Sequence, residues 1–165
     1  MSKLLVGVLS DTHGRLDSTV VKLFASADHI VHAGDIEDPA ILERLRALAP
    51  VTAVAGNCDG GRFPRLREAE TVTLGDVTVR VRHSIDMVEA LDTDILEGMR
   101  ATGAGVVIGG HTHLPSIKRR NGILFLNPGS ASLRRQGARR SVALLRIEDG
   151  QCEGEIFELG WDMLV

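Results

Sequence analysis

Short apolar runs in this chain end, one after another, in a polar residue of the kind that binds metal. Residues 4–10 (LLVGVLS) lead into Asp11-Thr12-His13, residues 30–33 into Gly34-Asp35, and residues 51–55 into Gly56-Asn57. Residues 77–81 lead to His83, and residues 105–108 to Gly109-Gly110-His111-Thr112-His113. Positions 11, 35, 57, 83 and 111 are separated by 24, 22, 26 and 28 residues. A strand–helix–strand unit takes about 30 residues, so each step is expected to return the chain to one sheet edge. Open α/β sheets build their sites outside the carboxyl ends of their strands. Five distant segments are therefore expected to meet in one place.

The rest of the pattern fits around this frame. Leu16, Val20, Leu23, Phe24 and Ala27 fall at helical spacing over residues 16–27. Asp38-Pro39 reads as an N-cap with proline at the first helical position, and Ile41, Leu42, Leu45 and Leu48 follow on one face until Pro50. The first third thus reads βαβαβ. Residues 71–74 and 77–81 alternate around Gly75-Asp76 as a hairpin. Residues 85–100 read as a helix broken near Asp92-Thr93-Asp94, and residues 123–126 as a strand. Residues 141–148 and 153–159 form a last hairpin through Asp149-Gly150. The class is α/β, with layered sheets flanked by helices. At roughly 150 residues per domain, the 165 residues make one domain, 1–165.

Composition removes several functions. Lys+Arg 19 against Asp+Glu 22 gives a net charge of −3, too little positive charge for a generic nucleic-acid binder. No apolar run reaches the roughly 18 residues of a membrane span, and the N-terminal run is too short and too early for a signal peptide. Cys58 and Cys152 are too few for a disulfide framework, so a reducing cytoplasm is expected.

The five strand ends carry two Asp, one Asn and four His. Carboxylate, amide oxygen and imidazole without thiolate suit Mn, Fe, Co or Zn better than a structural zinc site. Seven groups exceed one ion's needs and match two ions that share a carboxylate and leave room for water. Asp11/His13 and His111/His113 are i, i+2 pairs, which in extended chain project to one face. Two divalent ions would outweigh two carboxylates and a hydroxide, leaving the pocket positive within an acidic chain.

In order, LSDTHG, HAGDI, GNCD, an internal histidine, GGHTH and NPGS resemble the calcineurin-like metallophosphoesterase superfamily, closest to its small YfcE-type phosphodiesterase branch. The resemblance spans residues 4–159. It implies a four-layer αββα sandwich of two mixed β-sheets, and hydrolysis of phosphodiester bonds at a binuclear centre by a metal-bridging hydroxide. Carried over by position, it gives the first ion to Asp11, His13, Asp35 and His113. The second goes to Asp35, Asn57, His83 and His111, with Asp35 bridging. Asp35, Asn57 and His83 are the catalytic candidates. Manganese is the leading expectation, with Fe, Zn, Ni or Co as alternatives. The substrate is expected to be a small phosphodiester, including nucleotide-derived ones, without a stable nucleic-acid complex or a membrane; a homo-oligomer stays open. Two alternatives share the fold: a phosphomonoesterase, and a non-catalytic adaptor like a retromer subunit.

The chain departs from the superfamily pattern twice. Cys58 stands where a leaving-group histidine is usual, so the general acid is unassigned and poor alkoxide leaving groups are expected to react slowly. His83 is followed by Ser84 instead of glycine. Around the site, His32 reads as a packed or surface residue before a second-layer one. Cys58 reads as a small buried neighbour, and Asp59 as either a ligand-orienting group or a turn cap. Asn127 and Ser130 shape a loop. His29 has no assigned role. Arg62, Arg65 and Arg67, and Arg134, Arg135, Arg139 and Arg140, read as solvated loops before a phosphate clamp. Trp161 reads as packing surface.

Overall fold

A computed structural model describes residues 3–160. Trp161 lies outside them. Ten strands form two five-stranded sheets, each mixing parallel and antiparallel pairs. In the first, β1 (Lys3–Leu9), β2 (His29–His32) and β3 (Val51–Ala53) run parallel. There β9 (Ser141–Glu148) and β10 (Gln151–Glu158) add an antiparallel hairpin, giving the order β10-β9-β1-β2-β3. The second sheet has β4 (Ala69–Leu74), β5 (Val77–Arg82), β6 (Gly105–Ile108), β7 (Ser116–Arg120) and β8 (Ile123–Asn127) in the order β4-β5-β6-β8-β7.

The layers follow from where each strand's side chains go. Val77, Val79 and Val81 alternate with half-buried Thr78, Arg80 and Arg82 along β5. With Val6, Val8, Val31, Val106, Ile108, Leu124, Leu126 and Leu145, these valines form the core between the two sheets. The other face of the first sheet packs on α1 (Ser18–Leu23) and α2 (Pro39–Arg46) through Val20, Phe24, Ile41, Leu42 and Leu45. The other face of the second sheet packs on α3 (Ile85–Leu91) and α4 (Thr93–Thr102) through Val88, Leu96, Met99 and Phe125. This is the expected four-layer αββα sandwich, with every strand but the edge strand β7 contributing buried residues.

Local signals explain the boundaries. Asp17 and Asp38 cap α1 and α2 by accepting the N–H groups of Thr19 and Ala40. The helix expected over 16–27 is confined to Ser18–Leu23, because Asp17 starts it and the chain turns at Phe24. The break near Asp92 is real: Asp92 ends α3, starts α4, and accepts Arg80 Nε and Nη2 at 3.0 and 2.8 Å. One strand, β7, escaped the sequence pattern. Its SIKRR stretch is exposed after its first residue, an edge strand with no buried alternation to reveal it. No helix among the described residues is long and apolar enough to cross a membrane.

Candidate metal centre

The carboxyl ends of both sheets meet at one rim. Asp11, His13, Asp35 and Asn57 follow β1, β2 and β3 of the first sheet. His83, His111 and His113 follow β5 and β6 of the second. The motif spacing was expected to return the chain to one sheet edge; it returns it to two edges, stacked face to face. The loops are laced together by backbone. Asp11, His13 and Gly14 donate to the carbonyls of Gly34, Asp35 and Ile36 at 2.9, 3.0 and 2.8 Å, and Gly110 N donates to His83 O at 2.7 Å.

The i, i+2 pairs are not extended. Asp11, His13, Asp35, Glu37, His111 and His113 have φ of 55, 45, 56, 64, 69 and 62°, in the left-handed region. Few non-glycine residues adopt it, and such residues cluster at functional sites. The turn, repeated at every second residue, aims paired side chains inward where a straight strand would carry them onward. Gly56 is required beside them: a Cβ there would overlap the carboxylate and backbone nitrogen of Asp35.

Each aspartate is held by one oxygen and offers the other. Asp11 Oδ2 accepts Ser10 Oγ at 2.6 Å and His111 N at 3.1 Å, while its buried Oδ1 has no hydrogen-bond partner. Around that oxygen stand His113 Nε2 at 3.1 Å, His13 Nε2 at 3.8 Å and His83 Nε2 at 3.9 Å. Asp35 Oδ1 accepts the Cys58 N–H at 2.7 Å, while Oδ2 faces His83 Nε2 at 3.3 Å and His13 Nε2 at 3.9 Å. Asn57 Oδ1 lies 3.0 Å from His83 Nε2 and 3.1 Å from His111 Nδ1. His13 and His113 bring their Nε2 atoms to 3.4 Å. All seven residues expected from sequence are thus brought together.

The histidines are fixed from behind. His83 Nδ1 donates to the Ala33 carbonyl at 2.7 Å, and His13 Nδ1 meets Glu37 Oε1 at 2.5 Å, so both Nε2 lone pairs face the centre. Asp11–His13–His113 and Asp11–Asp35–His83 each gather ligand atoms within 4.8 Å of one another. A partnerless buried carboxylate oxygen ringed by imidazole nitrogens fits a cation.

Electrostatics agree. Burial acts to raise the Asp35 pKa, but the His83 hydrogen bond and the Cys58 N–H overcome it and hold the carboxyl well below the usual range. For His83, burial lowers the pKa, yet Asp35 and Asp11 win and raise it. His113 stays low, chiefly through burial.

The surrounding layer held surprises. Asp59, 0% exposed, accepts four backbone N–H groups, from Asp35, Ile36, Glu37 and Gly56, at 3.0, 2.8, 2.9 and 2.7 Å. It orients the ligand loop. Buried His32, with its pKa pushed by burial down to about 3, ties Thr12 Oγ1 at 3.0 Å to the Gly34 N–H at 3.2 Å, so it belongs to the second layer. Cys58 is exposed, correcting the expectation of a buried neighbour; its N–H donates to Asp35 Oδ1 at 2.7 Å, and its Sγ accepts Asn57 Nδ2 at 3.4 Å. Asn127 and Ser130 do shape a loop: Asn127 Nδ2 donates to Gly110 O, and Ser130 Oγ to Asp11 O, both at 3.0 Å. His29 Nε2 pairs with Thr52 Oγ1 at 2.8 Å. Arg140 is buried and paired with Asp17 at 3.1 Å, and Arg139 pairs with Glu158 at 2.9 Å, so these two serve structure. Glu37, Ser10 and Ser132, whose Oγ donates to Asp11 O at 2.8 Å, went unnoticed in the sequence. Glu37 lies two residues past Asp35, the same spacing as the other pairs, and that was the available signal.

Residues 4–150 match the calcineurin-like phosphoesterase superfamily domain. The chain belongs to this superfamily. The superfamily's metal dependence accords with the Asp and His groups at the rim. The chain is 36% identical over 169 residues to a probable metallophosphoesterase of Methanothermobacter thermautotrophicus, covering 95% of this chain and 94% of that protein. It is 31% identical over 169 residues to phosphodiesterase YfcE of Escherichia coli, covering 88% of each. A predicted phosphoesterase from Streptococcus pneumoniae superposes with a TM-score of 0.73 at 26% identity, over 96% of this chain and 91% of that one. Vacuolar Protein Sorting 29 from Cryptosporidium parvum superposes with a TM-score of 0.71 at 21% identity, over 96% and 99%. At that identity the likeness shows the fold alone.

Proposed function

We propose that this phosphoesterase-superfamily member is a phosphodiesterase working at a binuclear centre. One ion would be held by Asp11, His13, Asp35 and His113, and the other by Asp35, Asn57, His83 and His111. The observation that carries this is the paired arrangement of the aspartates, each with one oxygen tied down and one turned toward histidines. Two divalent ions bound there supply Lewis acidity, which activates a water and neutralises phosphoryl oxygens.

The chain's own residues do the rest. Asp35, whose carboxylate faces a histidine of each set, would be the ligand shared by the two ions. Glu37 and the Ala33 carbonyl hold the His13 and His83 rings with Nε2 deprotonated and inward. Asn57 presents its amide oxygen to the second set, while its NH₂ group donates to Cys58 Sγ at 3.4 Å. Manganese is the proposed metal and the cytoplasm the proposed location, where free Cys58 and Cys152 would stay reduced. The adaptor alternative expects a broken ligand set, which this chain does not have.

The test is hydrolysis of bis(p-nitrophenyl) phosphate with and without Mn²⁺, beside p-nitrophenyl phosphate, in wild type and Asp35→Asn. Metal-dependent diester cleavage lost in the variant is expected. Preference for the monoester would move the reading to a phosphomonoesterase. No metal-dependent release by wild type would move it to the adaptor.

A further inference from the structure

Three donor atoms gather beside the metal centre in a combination that the two ions do not use. The Cys58 sulfur, a Glu37 carboxylate oxygen and a His13 ring nitrogen lie within 4.8 Å of one another. Glu37 and Cys58 are outside the seven residues assigned to the two ions. Cys58 is exposed, and Glu37 and His13 are half-buried, so the trio is open to solvent. Arg62 Nη1 approaches Glu37 Oε2 only to 3.8 Å, from a side chain that is 60% exposed, and such surface pairs exchange at little cost.

Sulfur changes which metal the set selects. The seven ligands offer oxygen and imidazole, which suit manganese. Thiolate, imidazole and carboxylate together are zinc donors, and three protein ligands leave a fourth position for water. Burial and then the Asp35, Glu37 and Asp59 carboxylates push the Cys58 thiol up to about 11, and a divalent cation among the same carboxylates reverses that penalty. Asn57 Nδ2, donating to Cys58 Sγ at 3.4 Å, favours the thiolate further.

The trio and the first ion also draw on one ring. His13 Nδ1 meets Glu37 Oε1 at 2.5 Å, while Nε2 faces Asp11 and Asp35. An ion that takes Nε2 removes a ligand from the first set. One that takes Nδ1 or Glu37 removes the contact that holds the ring in place.

We propose that Cys58, Glu37 and His13 form a third metal site, selective for a thiophilic divalent ion such as zinc, which competes with the first ion of the centre. Binding breaks the Cys58 S–H bond, forms a metal–sulfur bond and releases the proton to solvent. The competition rests on the two-ion reading of the centre; the site itself does not.

The experiment titrates Cd²⁺, a thiophilic ion of zinc's charge, into the metal-free full chain and follows the ultraviolet sulfur-to-cadmium charge-transfer band. The band is expected in wild type and in Cys152→Ala, and is expected to be lost in Cys58→Ser, a nearly isosteric change at an exposed position. Glu37→Gln keeps the thiol, so the band should persist but need about tenfold more Cd²⁺. Excess Mn²⁺ should suppress the band in wild type. No band in wild type, a band that survives in Cys58→Ser, or an unchanged titration in Glu37→Gln overturns the site. A band indifferent to Mn²⁺ that calorimetry shows to be bound overturns the competition. If Mn²⁺ itself does not bind while the cadmium band forms through Cys58, the two-ion reading fails and the site stands.

Discussion

Asp59 Oδ2 accepts the backbone N–H of Asp35 at 3.0 Å, and the same carboxylate gathers the N–H groups of Ile36, Glu37 and Gly56. A ligand loop with two left-handed residues is thereby held by one buried anion. An unsatisfied buried donor costs about 1–3 kcal/mol, so Asp59→Ala should lose about 3 kcal/mol in urea melts after partial rescue by water. Asp59→Asn keeps one acceptor oxygen and should fold, with Mn²⁺ affinity about tenfold weaker or worse by calorimetric titration. Wild-type affinity in a folded Asn variant would contradict the orienting role.

Gly56 sits where a methyl group cannot. Its Cβ would run into the Asp35 carboxylate and backbone, and neither can swing away. Gly56→Ala should cost about 1–3 kcal/mol and abolish metal-dependent hydrolysis together. Normal activity in that variant would show that Asp35 has more freedom than its contacts allow.

The Arg80–Asp92–Arg82 cluster gives a pH prediction away from the metal ligands. Burial acts to raise the Asp92 pKa, but Arg80 and then Arg82 hold it below the ordinary value of 3.8. A carboxyl with a depressed folded value contributes stability above its ordinary pKa and loses it as pH falls through the folded one. Asp92→Asn should therefore be less stable by about 2–3 kcal/mol at pH 7, with the gap to wild type closing as pH drops below about 4. A gap that stays constant down to acid pH would mean the charge is not what matters.

His111 pays for its position with a φ of 69°. Left-handed backbone costs a non-glycine residue about 1 kcal/mol, and glycine nothing comparable. Without metal, His111→Gly should melt above His111→Ala, although both lack the ligand. The reverse order would show that the loop relaxes when the side chain is cut back.

Much of this molecule was legible in its sequence because periodicity and site chemistry coincide. Buried strands such as residues 105–108 and 123–126 read as apolar runs, and each ended where a ligand began. What stayed hidden had no pattern to carry it. β7 pairs by backbone while its side chains face solvent. The left-handed turns at Asp11 and His13 are imposed by tertiary hydrogen bonds to Gly34 and Asp35, which no local propensity encodes. Glu37 and Ser10 look like ordinary loop residues until the folded chain sets them behind His13 and Asp11.

The carboxylates arrive with one sheet and three of the four histidines with the other. The centre is therefore a gauge of how the two halves of the sandwich are seated. A worn contact among Val8, Val31, Val81 and Ile108, buried between the sheets, need not unfold either half to be felt. Sliding one half by an ångström would open the 3.1 Å approach of His113 to Asp11 and the 3.3 Å approach of His83 to Asp35 together. Damage deep in the interior would first be noticed at the rim, as a weaker grip on metal in a protein that still looks folded.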